Sequence, residues 1–361
     1  MQVLSIIILI FSLIAAADYL FGNKLGLGDE FFKGFKIFAD IAIPMIGMIA
    51  ISPLIANFLS PIFNAVYEIF KIDPSIISAS LLANDMGGAP LSLEIAKNSA
   101  IGSYNAFVVS AMMGVTVCFT IPLAMSMVNK ERQRELSLGL LSGIVTIPIG
   151  AFIAGLVCGL SPKQIMVDLL PLIILAVIIV LGLIFFPNVC VKIFKYLGAF
   201  MRALALVGFM MCIINSLFGK ELIKGIAPIE EGAMVCVNTI IFMTGIFPLL
   251  NIISRLLSKT LVKISERNNM TYNGILGIIL CLASNVPMFD LMKDMNKKDI
   301  VINSAFSVSA AFSLADHLAF TAAYNADYVL PMLVGKIAGG ISAVLFALIL
   351  YKKVLSKNEY A

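Results

Sequence analysis

Residues 74–98 read PSIISASLLANDMGGAPLSLEIAKN, and residues 272–298 read YNGILGIILCLASNVPMFDLMKDMNKK. Each opens with roughly a dozen helix-forming apolar residues. Each then breaks, at Asn84-Asp85-Met86-Gly87-Gly88 and at Ser284-Asn285-Val286-Pro287, and resumes as a short, more polar helix. An interrupted helix at membrane depth survives only where protein or a water-filled cavity satisfies the freed backbone groups. What these two stretches do therefore decides the fold.

Membrane depth is the right setting. Of 361 residues, 60% are hydrophobic and 13% charged, and the mean hydropathy is +1.03. A soluble domain carries about 25% charged residues, so a water-soluble enzyme is excluded. Apolar helices long enough to cross about 30 Å of hydrocarbon are expected at 2–21, 36–59, 100–127, 137–160, 165–186, 199–218, 233–256, 300–325 and 329–351. The first lacks a charged leader and a small-residue cleavage site, so it reads as a membrane helix rather than a signal peptide. The net charge of +4 belongs to loops. No basic stretch is interleaved with stacking aromatics, so nucleic acid is not an expected partner. The six cysteines are scattered without metal-ligand spacing and read as small core residues. No metal or cofactor is expected.

The two broken segments resemble each other. Leu82-Ala83 matches Leu282-Ala283, and Asp85 falls opposite Asn285. Downstream, Asn105–Ala111 aligns with Ser304–Ala310, and Leu141-Ser142-Gly143 with Leu333-Val334-Gly335. The expectation is a single integral membrane domain over 1–361 built from a repeat at 1–160, a connecting helix at 161–198 and a second repeat at 199–355.

Loop charge then separates two topologies. If all eleven segments cross, the loops carry 13 Lys/Arg on one side and 11 on the other. If 74–98 and 272–298 are re-entrant, one side collects 19 and the other keeps Lys71, Lys97, Lys163, Lys220 and Lys224, with Lys336 inside the membrane. The positive-inside rule favours re-entry. The fold class expected is thus an all-α polytopic membrane protein, with about nine full transmembrane helices and two re-entrant broken-helix hairpins in inverted repeats; eleven full spans is the alternative. The amino terminus lies outside and the carboxyl terminus in the cytoplasm. A homo-oligomer stays open.

Charges inside apolar segments are functional candidates by default. Asp85 sits in the first break beside Gly87 and Gly88, which allow close backbone approach, so a carboxylate and freed carbonyls make a site for a small cation. An Asp there also suits a helix N-cap. Asn84, Ser284 and Asn285 offer neutral donors and acceptors around the same point, or caps for the broken helices. Asp316 and His317, the only histidine, lie well inside the expected helix 300–325. Lys336 reaches a similar depth, so an Asp316–Lys336 ion pair competes with a binding role. Glu94 and Asp290 are expected on solvated faces, Asp18 and Asp40 at the interface. No GxxxxGK[ST] is present to drive transport with ATP. The contexts of Asp85 and Asp316 lack the Tyr-Asp and Gly-x-Gly-Asp motifs of intramembrane aspartyl proteases.

LLANDMGGAPL (81–91), LSGIVTIPIG (141–150), LASNVPMF (282–289), NSAFSVSAAFSLADHLAF (303–320) and PMLVGKIAGG (331–340) together resemble the ethanolamine-utilisation permease (EutH) family along nearly the whole chain. The resemblance implies a bacterial inner-membrane protein that takes up ethanolamine, with Asp85, Asn285, Asp316 and His317 on the family's motifs. Ethanolamine is mostly a small cation at neutral pH, and one carboxylate with flanking amides suits it. A negative-inside potential favours its entry by about 2.3 kcal/mol per 100 mV, so a uniporter needs no coupling ion. The rival reading is a proton- or sodium-coupled carrier of another small polar solute, with Asp316-His317 as the proton site.

Overall fold

Breakers and caps divide the chain into helices of very different length. The computed structural model describes residues 2–219, 222–268 and 270–354. Lys220 and Lys357 of the charge count and the end of the second repeat at 355 lie outside the described residues. Among those described, every regular element is helical: α1 (Gln2–Leu20), α2 (Leu27–Lys36), α3 (Phe38–Phe70), α4 (Ser75–Leu81), α5 (Gly88–Ile95), α6 (Ser99–Tyr104), α7 (Ile121–Met127), α8 (Gln133–Val157), α9 (Pro162–Phe185), α10 (Pro187–Phe218), α11 (Ile229–Asn268), α12 (Tyr272–Ala283), α13 (Asn285–Leu291), α14 (Lys297–Ala310), α15 (Asp316–Tyr324) and α16 (Val329–Val354). The chain runs from α6 to α7 through π-helical turns at Asn105–Gly114 and Thr116–Thr120. Polar residues start the helices where water or loops leave amides unpaired. Asn98 caps α6, Ser161 forms a capping box with Gln164 ahead of Pro162, Thr271 caps α12 and Asn296 caps α14.

Seven stretches among the described residues are long and apolar enough to cross a bilayer: Leu27–Phe70, Ser99–Met127, Lys130–Val157, Pro162–Phe185, Pro187–Phe218, Ile229–Leu256 and Ala326–Lys353. They answer to seven of the nine expected crossings. The expected 2–21 forms a shorter apolar helix, Leu4–Leu20. The expected 300–325 is not one helix. It stops at Ala310, turns through 311–315 with Phe312 at φ 62°, and restarts at Asp316. The amides released there are satisfied by the second broken segment: Phe312 N–H donates to the Cys281 carbonyl (3.0 Å) and Leu314 N–H to that of Leu282 (2.8 Å). Two interrupted helices thus complete each other's backbone, which the apolar interior demands.

The helices sort by what they face. α8, α14 and α16 pack on one another around buried Leu136, Leu140, Ile144, Val308 and Ala343. α9 instead turns Ile174, Val177, Ile178 and Leu181 outward, each about half exposed. A wall of aliphatic side chains on the outside is what a lipid-facing helix requires.

Both broken segments double back. Asp73 Oδ2 accepts the Lys97 and Asn98 amides, each at 2.9 Å, so the two ends of the first segment meet. Midway, the Ser78 and Ser92 hydroxyls pair across α4 and α5 at 2.7 Å. In the second segment Asp299 Oδ2 accepts from Thr271 N–H (2.7 Å) and its hydroxyl (2.6 Å). One aspartate therefore clasps each base.

Candidate functional site

The first break is built by a conformation that few residues adopt. Leu82 and Ala83 are extended, Asn84–Met86 make one 3-10 turn, and Gly87 takes φ 105° before α5 begins. Glycine is at home there because it lacks the β-carbon that makes left-handed backbone costly. A second glycine lets the break seat. A β-carbon on Gly114, in the π-helical stretch, would lie 1.9 Å from the Leu82 carbonyl oxygen. No side chain caps α5, so the capping role open to Asp85 is not used. Asn84 is fully buried with neither its amide nitrogen nor its oxygen paired within the described protein. Asp85 is half-buried beside it.

The second break is tighter. Ser284 is extended and its hydroxyl accepts from Val286 N–H at 3.4 Å, capping α13. Asn285 is fully buried and already engaged. Its amide donates to Thr120 Oγ1 at 3.0 Å and its oxygen accepts from the Cys281 thiol at 3.4 Å. Asn285 thus ties the second tip to the π-helical stretch of the first half.

The third break corrects the placement of Asp316 and His317. They open α15 after a turn rather than lying well inside a helix. His317 is buried and its ring lies 5.4 Å from that of Phe312. The ammonium of Lys336, fully buried on α16, donates to the Ala111 carbonyl and lies 3.1 Å from His317 Nδ1. No ion pair joins Asp316 to Lys336 among the described residues. The reason is the third break, which turns His317 rather than Asp316 toward α16. Ala111 lies in the π-helical turns, a geometry that loosens the regular bonding ladder and recurs at functional sites.

Three of these features converge. The Asn84–Met86 turn packs against α15, so Asp85 is in electrostatic range of both Lys336 and Asp316. Asp316 and Ser284 line a cavity of about 390 Å³ that extends past Leu282 and Pro287 to Asn251, Glu30 and Lys33 on α11 and α2. Gly87 and Gly88 shape the first tip without presenting side chains. Asn285 is committed to Thr120 and Cys281, and His317 to Lys336. Sequence reading missed the Ala111 carbonyl and the outer rim of Glu30, Lys33 and Asn251. Glu30 and Lys33 lie on the amphipathic α2, and Asn251 lies five residues before the end of the apolar stretch Ile229–Leu256, where polar residues carry no special signal. A buried ammonium needs compensation, and the two aspartates are the charges at hand.

Long apolar helices around a mainly apolar cavity that carries a few polar side chains at the interruptions define a multi-pass membrane protein. The chain belongs to the family described as "Ethanolamine utilisation protein, EutH", which matches residues 1–350. It is 38% identical over 358 residues to the "Probable ethanolamine permease EutH" of Listeria monocytogenes serotype 1/2a (strain 10403S), covering 99% of this chain and 96% of that one. The protein of the same name from Escherichia coli (strain K12) is 35% identical over 390 residues, covering 98% and 96%. The "Uncharacterized protein YxeR" of Bacillus subtilis (strain 168) is 34% identical over 333 residues, covering 92% and 90%. No solved structure matches the chain.

Proposed function

We propose that this chain is an ethanolamine permease of the bacterial inner membrane, in which two broken-helix hairpins re-enter from opposite faces and hold the protonated amine near the midplane. What carries the reading is the packing of the Asn84–Met86 turn on α15, whose first residue, Asp316, lines a cavity together with Ser284. Asp85 is the principal ligand of the ammonium. The unpaired Asn84 amide offers an acceptor to the ammonium and a donor to the hydroxyl. Asp85 and Asp316 against Lys336 leave one net negative charge, which suits a single monovalent cation. The names of the relatives point to the same solute.

The repeats are 1–160 and 199–355, inverted and joined by 161–198. Two parallels support this. An aspartate clasps the base of each hairpin, and the helix after each hairpin leaves α geometry at matching places, at 105–120 and at 311–315. The amino terminus faces out and the carboxyl terminus the cytoplasm, so the cavity between α2 and α11 opens inward. Entry of the cation down a negative-inside potential supplies about 2.3 kcal/mol per 100 mV.

The test is uptake of labelled ethanolamine into proteoliposomes of the purified protein, with an imposed negative-inside potential and no ion gradient. Accumulation that collapses with the potential is expected. Asp85→Asn is expected to abolish saturable uptake while leaving folded protein in the membrane; transport at the unaltered protein's rate by that variant would sink the assignment. Uptake indifferent to the potential would point to passage of the neutral amine, and uptake that needs a proton or sodium gradient to the coupled carrier. Its proton site at His317 is already in contact with a second basic group: Nδ1 lies 3.1 Å from Lys336 Nζ.

A further inference from the structure

Asp168 lies on α9, six residues and about 9 Å of helix rise beyond Pro162, and only 3% of it is exposed. Its one hydrogen-bond partner among the described residues is neutral. Asn105 donates from its amide nitrogen to Asp168 Oδ1 (3.3 Å) and to Ser75 Oγ (2.9 Å). Asp168 Oδ2 and Asn105 Oδ1 are both buried and both without a partner among the described residues. Two orphaned oxygens at one contact call for a missing positive group.

Asp73, the neighbouring carboxylate, shows the contrast. It accepts Ser75 N–H and Oγ–H on one oxygen and the Lys97 and Asn98 amides on the other. Its charge is met by four donors, that of Asp168 by one. Both line a cavity of about 180 Å³ at the base of the first hairpin, with Ile101, Val167, Lys71 and Lys163. Lys71 is held by Glu68 at 2.8 Å, and Lys163 is exposed at the rim. The Tyr104 hydroxyl is spent on the Ala151 carbonyl at 2.9 Å. α8 and α10, which also pack on α9, add no charged residue to the described lining. Among the described residues no cationic side chain fills the gap.

We infer that Asp168 and Asn105, backed by Ser75 and Asp73, form a second site, for a small monovalent cation that binds through oxygen, either sodium or a proton. A sodium ion would take Asp168 Oδ2 and Asn105 Oδ1 as ligands; a proton on Oδ2 would be shared with the same amide oxygen. Either one fastens the base of the first hairpin to the connecting helix. Its bearing on uptake rests on the permease reading above, but its occupancy does not.

The test reads occupancy directly on purified full-length protein. Radioactive sodium binding is measured against choline, and the melting temperature is followed from mildly acid to mildly alkaline pH. Saturable sodium binding that Asp168→Asn weakens tenfold or more, about 1.4 kcal/mol, assigns sodium. No sodium binding, with a pH-dependent melting temperature that the same variant flattens, assigns the proton. Neither response in the unaltered protein, or both unchanged in the variant, overturns the site. Should Asp168→Asn fail to fold, Asn105→Asp, which puts a carboxylate at the orphaned amide, is expected to tighten sodium binding or raise the pH of the melting transition; no change overturns the site. Ethanolamine uptake under potential is measured on the same preparations. Uptake that is absent while cation binding is intact counts against the permease reading alone, and uptake that persists while cation binding is absent counts against this site alone.

Discussion

Lys336 is the side chain on which the charge balance of the interior turns. Its ammonium is fully buried and touches a carbonyl and an imidazole rather than a carboxylate. Lys336→Met keeps much of the volume and removes the donor. The Ala111 carbonyl and His317 Nδ1 then lose their partner, and a buried group left unpaired costs about 1–3 kcal/mol. A lower melting temperature in detergent is expected, checked against the unaltered protein. With the counter-charge gone, ethanolamine should bind more tightly and turn over more slowly, seen as KM and kcat falling together. An unchanged KM would mean that this charge does not reach the substrate. Asp85, Asp316 and Ser284 were legible as candidates because a charge or a break in an apolar run is rare. The partner of Lys336 was not, because a backbone carbonyl has no letter in the sequence.

At the scale of the element, the three breaks differ in how they are made. Asn84–Gly88 and Ser284–Pro287 contain the residues that end helices locally, and the breaks fall where those residues are. The turn at 311–315 reads Ala-Phe-Ser-Leu-Ala, with neither glycine nor proline. It exists because Cys281 and Leu282 offer carbonyls to the Phe312 and Leu314 amides. These contacts offset a non-glycine residue at φ 62°, a conformation costing on the order of 1–2 kcal/mol. The first break leans on tertiary contact too. Gly114→Ala would place a β-carbon 1.9 Å from the Leu82 carbonyl, and backbone cannot yield as a flexible side chain can. We expect this variant to lose several kcal/mol of stability, on the order of an overpacked core, with little folded protein recovered by gel filtration. Gly159→Ala, with nothing within 4 Å of the added carbon but a φ of 78°, isolates the backbone cost of about 1–2 kcal/mol and should be recovered in clearly better yield than Gly114→Ala.

For the molecule as a whole, the clasped hairpins set a topology that labelling can read. In a background without the six native cysteines, Lys97→Cys should react with an impermeant thiol reagent from outside the cell and Lys293→Cys only from the cytoplasm. Reaction of position 97 from the cytoplasm would defeat the re-entrant arrangement. The sequence by itself determined that this is a helical membrane protein, because apolar length and scarce charge are properties of composition. It also marked two of the three interruptions and the charged residues within them, since breakers and intramembrane charges are local. Only the tertiary structure decided the third interruption, the engagement of Asn285 by Thr120, the choice of His317 over Asp316 by Lys336, and the isolation of Asp168. Each depends on which backbone carbonyl or amide from a distant helix arrives to satisfy a buried polar group, and one-dimensional spacing does not encode that meeting.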